Sequence, residues 1–385
     1  MEIYLDNAAT TKPADEVVEA MLKSLKEMYG NPSSLHRKGV EIEREIKKAR
    51  KSVAKALGCS EKEVIFTSGG TEANNLAIRG LIKANKRNGN HLITSKIEHK
   101  SVLALYNELE DEGYRVTYLD VDENGFISLE EIERVISSDT VLVSIMHVNN
   151  EIGSIQPINE VGKIIKKKNP KALFHVDGVQ SFGKIKFALR DLSVDSFSIS
   201  GHKFHGPKGI GALYIKNNVK IKPFLIGGGQ EASLRSGTEN VPGILGLGKA
   251  VELMIENQEK NIHKIKHVKS YLLKLMEQEL EDISITSKEN EEYAPHIINV
   301  SLLGIRSEIM LHSLEGDGIY VSSGSACSAK KRGYSHVLEA MGMKEAYIDS
   351  AIRISLSYTN TEEEIAYAVD KIKKHLTSLR KIIKR

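Results

Sequence analysis

Seven short apolar runs alternate with helix-period stretches through the first 216 residues, and that alternation constrains the fold more than any other feature of the chain. The runs are VIFTS (64–68), HLITS (91–95), RVTYLDV (115–121), VLVSIMHV (141–148), ALFHVDG (172–178), DSFSISG (195–201) and IGALYIK (210–216). Several are apolar at nearly every position, which predicts strands buried on both faces of a parallel sheet. The stretches before and between them read as helices. Pro13 and acidic residues open one, with Gly30 as its stop. In another, Ile42, Ile46, Ala49 and Val53 form one stripe that ends at Gly58. Strands and helices in alternation define an α/β domain over residues 16–260.

The pattern changes after residue 260. A charged helical stretch (262–281) leads to HIINVSL (296–302), GIYVSSGSACSA (318–329), AIRISLS (351–357) and a last helix. In that helix Ile365, Val369, Ile372, Leu376, Leu379 and Ile383 step by four and three, and Thr361 with Glu364 fits a capping box. Its basic end also suits a membrane surface, but packing onto its own domain is the preferred reading. A second, smaller α+β domain is expected from residues 261–385, joined by residues 1–15.

A chain of 385 residues exceeds one ordinary core. Its net charge of +3 supplies no basic field for nucleic acid. No apolar run is long enough to span a bilayer, and the opening MEIYLDNAATTKP lacks the design of a signal peptide. Cys59 and Cys327 are the two cysteines, too few for a disulfide framework or a four-thiolate metal site. A reducing, cytoplasmic setting is expected.

Four polar clusters stand where predicted strands stop. TSGGTEANN (67–75) runs from a strand through two glycines into a helix start, which is either an anion cradle or an ordinary capped turn. In FHVDGVQ (174–180), Asp177 ends an apolar strand. A buried carboxylate there needs a partner, either a helix cap or a protonated pyridine nitrogen. SISGHKFHGPKG (198–209) puts Lys203 about one βαβ step beyond Asp177, where open α/β sheets bind ligands, although a solvated lysine is the plainer alternative. His202 and His205 also raise a metal pair, weakened by their loop spacing and the lack of a neighbouring carboxylate. SKIEHKSV (95–102) adds His99, structural or catalytic. A phosphate cradle, a strand-end acid and a strand-end amine together describe a pyridoxal phosphate site.

LDNAATT (5–11), YGNPSSLHRKG (29–39), SGGTEANN (68–75), HVNNEIG (147–153), HVDGVQSFGK (175–184), SGHKFHGPKGIG (200–211), GGGQE with RSGTEN (227–240) and SSGSACS (322–328) resemble, in order, the motifs of the cysteine desulfurases. The likeness is to the NifS/IscS branch of the class V aminotransferases, and it covers nearly the whole chain. It implies a fold-type I pyridoxal phosphate transferase, with a mostly parallel seven-stranded sheet in a large domain and a smaller α+β domain carrying the cysteine loop. By that resemblance Lys203 carries the cofactor, Asp177 pairs with its ring nitrogen, Gln180 bonds its phenolic oxygen, and His99 stacks on the ring and helps move protons. Gly70, Thr71, Ser200 and His202 hold the phosphate, joined by Thr238 across a homodimer. Asn150 and Arg353 hold the substrate carboxylate, a task suited to a bidentate guanidinium. The plain alternative for Arg353 is a surface ion pair. No metal is implied.

The resemblance makes Cys327 the acceptor of sulfur from L-cysteine, giving L-alanine and an enzyme persulfide. That sulfur then passes to a partner such as an iron–sulfur scaffold, to other thio-cofactors or to tRNA thiolation. SSGSACS has the composition of a loop rather than a core strand, and the thiolate is the nucleophilic form of cysteine. Cys59, next to Gly58 at a helix end, reads as an inert thiol. A selenocysteine lyase or an aminotransferase on the same scaffold is the alternative. The sequence stops at RKIIKR, without the further tail that some family members use to dock a scaffold.

Overall fold

The computed structural model describes residues 2–323 and 334–383. The first strand, β1 (Ile3–Tyr4), lies apart from the main sheet. That sheet contains β2 (Val64–Thr67), β3 (His91–Ser95), β4 (Arg115–Leu119), β5 (Thr140–Met146), β6 (Leu173–Asp177), β7 (Ser196–Ser200) and β8 (Gly211–Ile215). Their spatial order is β2-β8-β7-β6-β5-β3-β4, and β8 alone runs antiparallel to its two neighbours. Every residue of β5 is buried, as a strand with helices on both faces must be.

A second sheet takes β9 (Ile283–Ile285), β10 (Ile297–Leu302), β12 (Ser322–Ser323) and β13 (Ala351–Ser355) in the order β12-β13-β10-β9. Between them in sequence, β11 (Ile319–Tyr320) pairs in parallel with β1. Ile3 and Leu5 thereby enter the core formed by β10, β13 and the last helix, Glu362–Ile383. The capping box is present there: Glu364 N donates to Thr361 Oγ1, and Thr361 N donates to Glu364 Oε2.

One helix departs from the sequence reading. The charged stretch read as 262–281 is, through Glu279, the second half of a single helix, Val241–Glu279. Asn240 caps it, accepting from Gly243 N at 3.1 Å. Gly243, Gly246 and Gly248 look like helix breakers, yet two of them serve close packing. A Cβ on Gly248 would lie 2.7 Å from Ala49 Cβ, and one on Gly246 would lie 2.7 Å from Met21 Cγ. The helix therefore sits tightly on helices Asp15–Glu27 and Arg37–Leu57. Its Ile244, Leu247 and Val251 belong to the core beneath the large sheet, whereas Ile265, Val268, Leu272 and Met276 belong to the core of the small one. Residue 260 falls inside this unbroken helix.

Candidate active site

The carboxyl ends of the sheet strands converge on one cavity of about 280 Å³. Gly70, Thr71, His99, Asn150, Asp177, Gln180, Ser200, His202, Lys203 and Arg353 all line it. Ten residues scattered over 284 positions are thus brought together. Thr238 is exposed and does not line the cavity of its own chain. Cys327 lies outside the described residues, while Ser323 and Tyr334, on either side of it in sequence, line the cavity.

One wall of the cavity begins at β2, which ends at Thr67. Helix Gly70–Asn85 starts immediately beyond, with Gly69 as an N-cap that offers no side chain. The first N–H groups of such a helix have no intrahelical acceptor and carry the positive end of its dipole. A Cβ on Gly70 would stand 2.6 Å from Val179 Cγ2, so only glycine lets the helix start press against the turn beyond β6. Ser200 and His202 face the same space. His202 is pushed down to about 4 by burial, with Lys203 and Lys208 adding repulsion, so it is neutral at physiological pH.

Asp177 closes β6, and the register sets it beside Ser198 of β7. Its Oδ1 accepts from Val179 N at 3.0 Å and its Oδ2 from Asn74 Nδ2 at 2.8 Å. Three residues past the end of β7, Lys203 donates from Nζ to the carbonyls of Ala8 at 2.7 Å and Ala9 at 2.9 Å. Gln180 Nε2 donates to the same Ala8 carbonyl at 2.8 Å. The opening LDNAATT segment therefore supplies backbone oxygens to the site.

His99 caps helix Lys100–Asp111, its Nδ1 accepting from Ser101 N at 3.1 Å. The proton of the neutral ring is thereby assigned to Nε2. Burial holds this histidine below its ordinary value; Lys203, His336 and Lys100 add to the effect, and Asp177 opposes it.

Arg353, on β13, donates to the Asn150 carbonyl at 2.8 Å and forms an ion pair with Asp6 at 2.8 Å. Its side chain is 8% exposed, so the surface-pair alternative is corrected: the pair exists, but it is buried at the cavity wall. Among the described residues, its buried Nε has no hydrogen-bond partner. The metal alternative also lapses. His205 spends its ring nitrogens on the Lys12 carbonyl and the Ser357 hydroxyl, and no cluster of metal-ligating side chains exists among the described residues. Cys59 is pushed up to about 12 by burial, with Glu63 adding repulsion, which fits an inert thiol.

Sequence reasoning missed Asn74, which is 1% exposed. Its signal was a polar residue within the apolar stripe Ala73, Leu76, Ala77. It also missed Ser335 and His336, which line the cavity and are held by the Glu151 carboxylate and the Glu98 carbonyl.

A sheet with strand-end acid and lysine, facing a glycine-opened helix start, defines a class of protein, and comparison agrees. The chain belongs to the class V aminotransferase family, whose profile matches residues 3–367. Enzymes of that family depend on pyridoxal phosphate. More particularly, the chain is 43% identical over 382 residues to the cysteine desulfurase IscS of Clostridium botulinum, covering 99% of this chain and 96% of that one. It is 44% identical over 384 residues to the cysteine desulfurase IscS of Methanosarcina thermophila, covering 98% and 93%. Among solved structures, a NifS-like protein superposes with a TM-score of 0.92 at 42% identity, covering 98% of this chain and all of that one.

Proposed function

We propose that this protein is a cysteine desulfurase that binds pyridoxal 5'-phosphate at Lys203 and moves sulfur from L-cysteine to Cys327. The observation that carries the reading is the convergence of Lys203, Asp177, His99 and Arg353 on one cavity with the start of helix Gly70–Asn85. The donor set suits the cofactor: helix-start N–H groups, Ser200 and His202 for a phosphate, a carboxylate for a ring nitrogen, and an amine for covalent attachment. When bound, the cofactor supplies an electron sink for the bonds at the substrate's α-carbon.

The chain's own groups do the rest. Arg353 binds the substrate carboxylate, which takes the place beside the guanidinium now held by Asp6. Lys203 Nζ and His99 Nε2 hold protons at the cavity: with Nδ1 accepting from Ser101 N, the neutral His99 ring presents its Nε2–H as a donor. The Cys327 thiolate attacks the substrate sulfur. The S–S bond forms as the C–S bond breaks; the electron pair stays with the carbon skeleton and takes up a proton to give L-alanine. The persulfide then serves acceptors such as an iron–sulfur scaffold or a tRNA-thiolating system.

A homodimer in the cytoplasm belongs to the same reading, with Thr238 of each chain completing the phosphate site of the other. Among the described residues, no helix is long and apolar enough to cross a membrane. The two cores joined by helix Val241–Glu279 are read as a large domain and a small one.

The test is incubation with L-cysteine and a dithiol, measuring alanine and sulfide. Alanine and sulfide in equal amounts are expected, with a yellow protein that borohydride labels at Lys203. Cys327→Ala should retain the colour and lose desulfuration, whereas Cys59→Ala should keep it. Wild-type turnover by Cys327→Ala, or label on Lys184 or Lys208, would overturn the assignment.

A further inference from the structure

A second cavity, of about 350 Å³, lies where helix Val241–Glu279 passes from one core to the other. Its lining brings together Lys184, Lys260 and Lys264 with the amides of Asn257 and Asn261. Lys184 follows β6 and is 4% exposed. Its ammonium makes no hydrogen bond or ion pair with the described residues. Burial pushes its amine down to about 8, with Lys203 adding repulsion. At pH 7 roughly nine-tenths of it still carries a proton. A buried cation without a counter-charge is costly, and the cost falls when an anion meets it.

The rest of the wall points the same way. Asn257, Lys260, Asn261 and Lys264 are spaced by three, one and three, which places two amides and two amines on one stripe of a helix. Lys260 and Lys264 are exposed and form no ion pair with the described residues. One carboxylate lines the cavity, Glu16, and it pairs with none of the three lysines. His205 contributes no charge: burial pushes it down to about 4, Lys184 adds repulsion, and its ring nitrogens are already bonded. Tyr358 adds a hydroxyl that burial and Glu16 hold in its neutral form.

We propose that this cavity is a binding site for a small doubly charged oxyanion of the phosphate class, with Lys184 as its buried anchor. Charge-assisted hydrogen bonds from Lys260 and Lys264 close the site from the solvent side, and the two amides add neutral donors. The site shares no lining residue with the strand-end cavity.

The experiment titrates the pyridoxal phosphate-saturated protein with inorganic phosphate by calorimetry at constant ionic strength, with sulfate as competitor. Saturation fills the cofactor's own phosphate cradle, so heat from that cradle does not contribute. One phosphate per chain is expected, displaced by sulfate and weakened roughly tenfold or more by Lys260→Ala with Lys264→Ala. Both residues are exposed, so this variant folds. Lys184→Met should abolish binding. Acylation of Lys184, read by peptide mass spectrometry, should show a midpoint near pH 8 that phosphate moves upward. Absence of phosphate binding, full-strength binding in the Lys260/Lys264 variant, or no effect of phosphate on Lys184 labelling would overturn the proposal.

Discussion

His175 decides how Asn74 is turned, and Asn74 in turn decides how Asp177 is held. His175 is fully buried, and burial pushes it down to about 4 although Asp177 opposes the shift. A neutral imidazole has one donor and one acceptor nitrogen. Asn74 Oδ1 already accepts from Ser198 Oγ, and His175 Nε2 lies 3.1 Å from the same oxygen. The consistent assignment gives His175 its proton at Nε2, with Nδ1 accepting from Ser196 Oγ at 2.9 Å. The Asn74 amide nitrogen then has no choice but to face Asp177 and Ser101. Asn74→Leu keeps the size and removes the donor, leaving Asp177 6% exposed with one partner fewer. The expected cost is about 1–3 kcal/mol of stability, read by denaturant unfolding. With Asp177 serving the cofactor ring, kcat should fall by about tenfold or more while KM for L-cysteine changes less. A stable variant with wild-type kcat would show that Asn74 does not position Asp177. Asp177 itself was legible as an acid at the end of an apolar strand. The pairing of Arg353 with Asp6 was not, because local pattern carries no information about partners 347 residues apart.

At the scale of elements, each of the seven apolar runs is a strand, and what the sequence overstated was their carboxyl ends. RVTYLDV stops at Leu119, VLVSIMHV at Met146 and ALFHVDG at Asp177: Val121 and Val148 bridge back to Ile127 and Ile155 rather than extending the sheet, and beyond Asp177 the chain turns to present Val179 and Gln180 to the cavity. The long helix was read short for a different reason: its glycines meet neighbouring helices, and tertiary packing overrides their poor propensity. A related close approach lies between β6 and β7. A Cβ on Gly178 would fall within 1.9–2.6 Å of three ring carbons of Phe197. The φ of Gly178 is not positive, so the barrier to alanine there is steric rather than conformational. Phe197 cannot easily yield, since it is fully buried and packs against Phe187 and His147. Gly178→Ala should therefore destabilise by about 1–3 kcal/mol, as overpacking does. Adding Phe197→Leu should return part of that loss, and comparing the single and double variants in a double-mutant cycle measures the coupling. Additive effects of the two substitutions would mean that the ring is not the obstacle.

For the whole molecule, the segment 224–240 makes little sense in a single chain. Glu231 is anchored from two sides: Arg50 Nη2 pairs with its Oε1 at 2.6 Å, and Phe66 N donates to its Oε2 at 2.8 Å. Arg235 pairs with Glu72 at 2.9 Å. Glu231, Ala232 and Ser233 nonetheless all have positive φ, a conformation that costs about 1–3 kcal/mol per non-glycine residue. What this held and strained segment presents is exposed: Ile226 is 85% accessible, Phe224 49%, and Thr238 is exposed and outside the lining of its own cavity. Helix Asp15–Glu27 adds Val18, Leu22 and Leu25, spaced by four and three and about half or more exposed. Apolar surface of this kind marks a contact with another protein surface. In the homodimer proposed above, a second copy of the chain would cover this surface and give Thr238 a task, at the phosphate cradle of its partner. Light scattering should therefore give twice the 42.7 kDa chain mass. Ile226→Glu combined with Leu22→Glu should shift the protein toward monomer, because the introduced carboxylates would have to be buried without partners. The same variant should release pyridoxal phosphate more readily and lose most of its desulfurase activity. Circular dichroism should remain that of the wild type, since both side chains are exposed in the single chain. A monomer that keeps its cofactor and full turnover would mean that each chain completes its own site, and that Thr238 has no part in holding the phosphate.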